Sequence, residues 1–117
     1  MNRTQALGRY GEERAANYLH DLGYEIIERN WRSSSGEIDL IAKSDATVVF
    51  VEVKTRRGSG YGHPFEAITS DKLSRMRALV QEWRAATGAH SLKVRMDAIS
   101  VMVSGGRVAI EHIKDLF

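Results

Sequence analysis

The chain has 117 residues, 43% of them apolar, with 17 Lys plus Arg against 15 Asp plus Glu, a formal net charge of +2 and no cysteine. That length fits one compact domain, read here as residues 1–117, with enough apolar sequence for a core that needs no disulfide or structural metal. Zero cysteine excludes thiolate zinc sites, iron–sulfur clusters and cysteine nucleophiles, and the longest apolar run, Val48 to Val51, falls far short of the roughly 20 residues of a spanning helix, so a soluble cytoplasmic protein with no membrane partner is expected.

In chain order, Thr4 to Leu22 is predicted as a helix, with Thr4 placed to cap it, Leu7, Tyr10, Ala15, Tyr18, Leu19 and Leu22 on its apolar stripe, and Gly23 to stop it. Gly8 and Gly11 each cost such a helix about 1 kcal/mol relative to alanine, so either something packs closely there or the helix starts nearer Arg9. Tyr24 to Trp31 reads as a strand, Ser33 to Gly36 breaks it, and Glu37 to Ala42 and Thr47 to Lys54 are two further short strands. Arg57 to Pro64, with Gly58, Gly60 and Gly62, is expected to be a mobile loop. Ser70 to Ala86 is the second predicted helix, capped by Thr69 or Ser70, with Leu73, Met76, Leu79, Val80 and Trp83 on one stripe, a basic opposite face, and Gly88 at its end. Ser91 to Val103 and Arg107 to Ile113 complete the strands, joined at Gly105-Gly106. The order αβββαββ predicts an α/β fold, a mixed β-sheet flanked by helices.

The chemistry concentrates in two strands. In Gly36-Glu37-Ile38-Asp39-Leu40-Ile41, Glu37 and Asp39 share one face; in Val48-Val49-Phe50-Val51-Glu52-Val53-Lys54, Glu52 and Lys54 share one face with Val49, Val51 and Val53 behind them. A hairpin turning through Ser44 to Thr47 opposes residues whose numbers sum to 91, which sets Asp39 against Glu52 and Glu37 against Lys54. Two opposed carboxylates with Cβ atoms about 5 Å apart repel unless a proton or cation lies between them. The natural resident is a hard divalent ion, Mg²⁺ or Mn²⁺, which takes oxygen ligands and keeps water on its open positions. Lys54 is then aimed to hold or deprotonate an attacking water, or to stabilise charge on a phosphoryl oxygen. This is equipment for phosphodiester hydrolysis.

The charge is also unevenly placed. From Lys54 to Arg84 seven basic residues stand against three acids, while the rest of the chain holds ten basic and twelve acidic residues, and Arg outnumbers Lys twelve to five. Arginine forks suit phosphate oxygens.

Over nearly its whole length the chain resembles the YraN-like uncharacterised bacterial proteins, which look related to archaeal Holliday-junction resolvases in the PD-(D/E)xK nuclease superfamily. The stretches that carry the resemblance are Gly8-Arg9-Tyr10-Gly11-Glu12 with Ala15 and Leu19, Leu22-Gly23-Tyr24, Glu28-Arg29-Asn30, Gly36 to Ile41, Phe50 to Arg56, and Lys72. The resemblance implies a restriction-endonuclease-like core and a Mg²⁺- or Mn²⁺-dependent endonuclease acting on DNA, branched DNA included, that leaves a 5′-phosphate. It makes Asp39, Glu52 and the Val53 backbone carbonyl metal ligands, Lys54 the catalytic lysine and Glu12 the first-helix acid. Glu12 is in phase with Ala15, Ala16 and Leu19, whereas Glu13 points nearer solvent. Ile38 stands where the superfamily pattern writes proline, and Glu37 is an extra acid, either a further ligand or a partner for Lys54. Arg56, Arg57, Lys72 and Arg75 lie downstream of the metal strand or on the next helix and are expected to contact phosphate. His63 is a further candidate for substrate contact, Asp97 is read as structural, holding an arginine, and Trp31 and Trp83 as core or interface aromatics. Dimerisation is expected by resemblance to resolvases. The alternatives are a non-catalytic nucleic-acid-binding module on the same fold, or an interaction subunit.

Overall fold

In a computed structural model the chain is described over residues 2–58 and 69–116. Most of the expected Arg57 to Pro64 loop, and His63 with it, lies outside the described residues. The elements are α1 (Arg3–Asp21), β1 (Glu25–Ser33), β2 (Gly36–Ser44), β3 (Thr47–Arg57), α2 (Ser70–Thr87), β4 (Lys93–Ser104) and β5 (Arg107–Ile113). Among the described residues they form a mixed α/β structure around one five-stranded sheet of order β1-β2-β3-β4-β5. All neighbours are antiparallel except β3 and β4, which run parallel. A parallel pair needs a crossover, and α2 stands in the intervening sequence.

Alternation along the strands divides the core in two. Leu40, Ala42, Val49, Val51, Val53, Ile99 and Val101 pack with Ala15, Ala16 and Leu19 of α1, while Ile41, Val48, Phe50 and Met96 pack with Met76, Leu79, Val80 and Trp83 of α2. The two helices therefore cover opposite faces, and β3 at the centre is apolar on both. Trp83 is buried edge-on against Phe50 and donates its indole N–H to Glu28 (2.8 Å).

Element ends differ from the expected ones by at most three residues, and β5 matches at both ends. Asn2 rather than Thr4 caps α1: its side chain accepts the Gln5 N–H while Gln5 Oε1 accepts the Asn2 N–H, a reciprocal cap that Thr4 cannot make from inside the first turn. Thr69 caps α2 and Gly88, at φ 72°, ends it. Gly105 and Gly106, both at positive φ, make the two-residue β4–β5 turn, where mirror-image turns need glycine. The serine break between β1 and β2 is a tight turn, Ser33 pairing with Gly36. Glu82 of α2 clamps it, accepting hydrogen bonds of 2.6 Å from both Ser33 and Ser35 hydroxyls.

No helix among the described residues is long and apolar enough to cross a membrane.

Candidate functional site

The β2–β3 hairpin follows the expected register from Ser44 opposite Thr47 to Leu40 opposite Val51. There the ladder ends. Asp39 does not pair backbone to backbone with Glu52; its carboxylate turns toward β3 and accepts the Val53 N–H at 2.8 Å. The strand's alternation breaks at the same point, since Ile38 and Ile41, three apart, both join the α2-side core. Glu37 does not face Lys54 across a ladder either. It lies on the β1 side, where Arg32 donates to its Oε2 at 2.9 Å. In an extended strand a residue's carbonyl points to the same edge as its N–H, so strand geometry puts the Val53 carbonyl on the Asp39 side of β3.

Side chains from five elements, α1, β1, β2, β3 and α2, converge where the ladder ends. Glu12 is half-buried on α1 while Glu13 beside it is exposed and bound to Arg29 at 2.6 Å. With its amide oriented to satisfy both neighbours, Asn30 donates to Glu12 Oε1 (3.2 Å) and Glu37 Oε1 (2.9 Å). Asn30 sits at φ 50°, a conformation asparagine tolerates better than most residues. Lys72 of α2 reaches Glu52 at 2.8 Å, with side chains only 24% and 15% exposed. A cavity of about 300 Å³ opens here, lined by Glu37, Asp39, Glu52, Lys72 and Arg75 with Ser35, Gly36, Met76 and Leu79.

Burial and the crowding of acids together set the electrostatics. Burial, then the charge of Glu52, pushes the Asp39 carboxyl up to about 7, against the opposing Val53 hydrogen bond, with Glu12 and Glu37 adding to the rise. Glu12 is also raised, by burial and by Glu37 and Glu52, in spite of the Asn30 hydrogen bond and Arg9. Burial and the neighbouring Lys72 lower the pKa of Lys54. Burial opposes the charge of Lys72, but Glu52 outweighs it and holds that lysine above its ordinary value.

Glu12, Glu37, Asp39, Glu52, Lys54 and Lys72 therefore act on one another as a single cluster. Lys72, expected at phosphate, is an ion-pair partner inside it. Arg75 lines its cavity, whereas Arg57 faces the first turns of α1 beside Arg3, Thr4 and Leu7. Arg56 is half-buried on β3 opposite Met102. Asn30 was not singled out as a site residue in the sequence, although asparagine is depleted in strands and its place inside a β-like run is a usable signal.

Among the described residues no three acidic or imidazole groups form a ready-made cation cage. The smaller donor set of Asp39, Glu52 and the Val53 carbonyl nonetheless fits a hard divalent ion, because all its donors are oxygen and Glu52 stands close enough for its charge to add, after burial, to the rise of the Asp39 carboxyl.

A second polar cluster is separate and closed. Asp97, fully buried, accepts two hydrogen bonds of 2.8 Å from Arg95, one of 3.0 Å from the Asp115 N–H, and lies 2.8 Å from His112 Nε2. Arg95 reaches on to the Tyr24 hydroxyl, and His112 Nδ1 to that of Tyr18. It ties β4, β5 and the α1–β1 junction together, the structural role expected for Asp97.

The model of the uncharacterised protein family UPF0102 matches residues 11–101, a span that includes every acid and both lysines of the cluster. The UPF0102 protein of Rhodococcus jostii (strain RHA1) is 50% identical over 118 residues, covering 100% of both chains. That of Nocardia farcinica (strain IFM 10152) is 49% identical over 114 residues, 97% of this chain and 90% of its own. Among solved structures, that of SSO0001 overlays 97% of this chain on 52% of its own, at 16% identity and a TM-score of 0.39.

Proposed function

Because the chain belongs to the UPF0102 (YraN-like) family, whose description names no activity, we propose a function from the site itself: a Mg²⁺- or Mn²⁺-dependent endonuclease that hydrolyses phosphodiester bonds in DNA, branched DNA included, on a restriction-endonuclease-like core. The observation that carries it is the half-buried Asp39 carboxyl, bonded to the Val53 N–H where the β2–β3 ladder ends and raised to about 7 by loss of solvent and by Glu52, with Lys54 and Lys72 alongside.

In this reading Asp39, Glu52 and the Val53 carbonyl hold the ion, with Glu12 and Glu37 beside it. Such an ion supplies Lewis-acid stabilisation of phosphoryl oxygens and makes water a better nucleophile at neutral pH. Lys54, lowered by burial and by Lys72, parts with its proton more readily than a surface lysine, which suits it to hold or deprotonate the attacking water. Lys72, paired with Glu52 at 2.8 Å, stands at the edge of the cavity where a phosphate oxygen would be its alternative partner. Arg75, on the same helix and at the same cavity, receives a neighbouring phosphate oxygen. Two copies acting together on a two-fold substrate belong to the same reading.

The test is incubation of purified protein with branched, flapped and linear DNA in Mg²⁺ or Mn²⁺, beside Asp39→Ala and Lys54→Ala. The expected result is cleavage by the wild type that falls at least a hundredfold in both variants with DNA binding retained. Cleavage surviving unchanged in both variants sinks the assignment. Salt-sensitive binding without cleavage points instead to a non-catalytic nucleic-acid-binding module, the reading favoured by a lysine already seated on Glu52.

A further inference from the structure

Helix α1 carries two glycines, and among the described residues only Gly11 has a packing reason. A Cβ at Gly11 would stand 1.7 Å from Thr55 Oγ1 and 2.7 Å from Thr55 Cβ, so β3 demands a glycine there. Among the described residues a Cβ at Gly8 would meet nothing within 4 Å. Glycine inside a helix weakens it relative to alanine, and no neighbour among the described residues accounts for that loss at Gly8.

What Gly8 does face is a cavity of about 700 Å³ bounded by Gln5, Gly8, Arg9, Glu12, Asn30 and Arg32. This groove is continuous with the acidic cluster: Glu12 belongs to both, and Asn30 on its wall bridges Glu12 to Glu37. Its two cations are both arginines. The charge of Arg9 acts on Glu12, and Arg32 is held by Glu37 at 2.9 Å. The groove lies on the α1 and β1 side of the cluster, away from the cavity that Lys72 and Arg75 line from α2.

We propose that this groove binds the nucleotide next to the scissile phosphate, so that a DNA strand crosses the acidic cluster from α2 to α1. Gly8 leaves the helix surface open to close approach of the sugar-phosphate chain, which is one of the uses of glycine at ligand sites. Arg9 and Arg32 take phosphate oxygens through their planar forks. A polyanion is the occupant that suits two guanidiniums beside an acid of the hydrolytic centre, and a strand running through that centre brings the next phosphate along to them. The inference rests on the nuclease reading above.

Two variants test it. Gly8→Gln supplies a good helix former that fills the groove, and Arg9→Gln removes one phosphate partner. Thermal midpoints are measured together with the affinity for a fluorescent branched oligonucleotide across a salt series in Ca²⁺, a hard cation that also takes oxygen ligands. Gly8→Gln is expected to melt at or a few degrees above wild type and yet to bind at least tenfold more weakly. Arg9→Gln is expected to reduce the salt slope by about 1. If the wild type binds DNA and both variants match its affinity and salt slope, the groove assignment is overturned while the nuclease reading stands. If the wild type binds no DNA, both fall together.

Discussion

Asp97 shows how much one side chain can hold. Its carboxylate is fully buried, and burial alone would raise its pKa; the bonds from His112, Arg95 and the Asp115 N–H overcome that and hold it at about 2. The folded protein therefore binds this proton less readily than the unfolded chain, whose carboxyl titrates near 4. The stabilisation is complete above about pH 4 and is lost as pH falls from there toward 2. Asp97→Asn should cost about 1–3 kcal/mol near neutrality, since it takes the carboxylate from the half-buried Arg95, and should flatten the acid limb of a urea-monitored stability profile. An unchanged acid limb would refute the pairing. At the same scale, sequence periodicity located Asp39, Glu52 and Lys54 because a strand reading makes charge at those positions conspicuous. It could not seat Lys72 on Glu52, because a bond between a helix and a strand 20 residues away depends on how α2 docks, and spacing does not carry that.

At the scale of elements, α1 presents Glu12 to the sheet only because Gly11 lets it approach β3. Thr55 Oγ1 and Cβ would lie 1.7 and 2.7 Å from an added methyl, and Thr55 follows Lys54 directly. Gly11→Ala should therefore force α1 and β3 apart, at about 1–3 kcal/mol as in other overpacked cores. Chemical denaturation measures this cost, and a variant as stable as wild type would contradict the packing. Of the two readings that Gly8 and Gly11 leave open, a helix start nearer Arg9 is excluded because α1 begins at Arg3, and close packing holds at Gly11 but, among the described residues, not at Gly8, where a Cβ would meet nothing within 4 Å. Both helices and all five strands were legible because their apolar periods of 3.6 and 2 survive in the sequence. Their ends were less so: Asn2 and Gln5 cap each other through side chains, and a threonine two residues on looks equally suitable in a string of letters.

For the molecule as a whole, the decisive feature is where β2 and β3 stop pairing. The hairpin register was readable from a short turn and alternating faces, and it runs as expected to Leu40 opposite Val51. Beyond that point the sheet opens, Asp39 bonds the Val53 N–H in place of a ladder partner, and α1 and α2, on opposite faces, bring Glu12 and Lys72 to the opening. Alternation predicts a continuing ladder there, so the opening was not legible: it follows from Ile38 turning into the α2-side core, a tertiary choice. The result is an acid cluster whose central carboxyl is raised to about 7. Since the unfolded carboxyl titrates near 4, the metal-free protein should lose stability as pH rises from about 4 through 7, with the full penalty above it. The most direct test of a cluster built for a divalent cation is the thermal midpoint at pH 8 with and without Mn²⁺, for wild type and Asp39→Asn. Without metal, Asp39→Asn should melt higher. Saturating Mn²⁺ should raise the wild type alone, by an amount equivalent to about 2.7 kcal/mol at a hundredfold excess over Kd. A wild-type midpoint indifferent to Mn²⁺, or an equal rise in Asp39→Asn, would contradict the account.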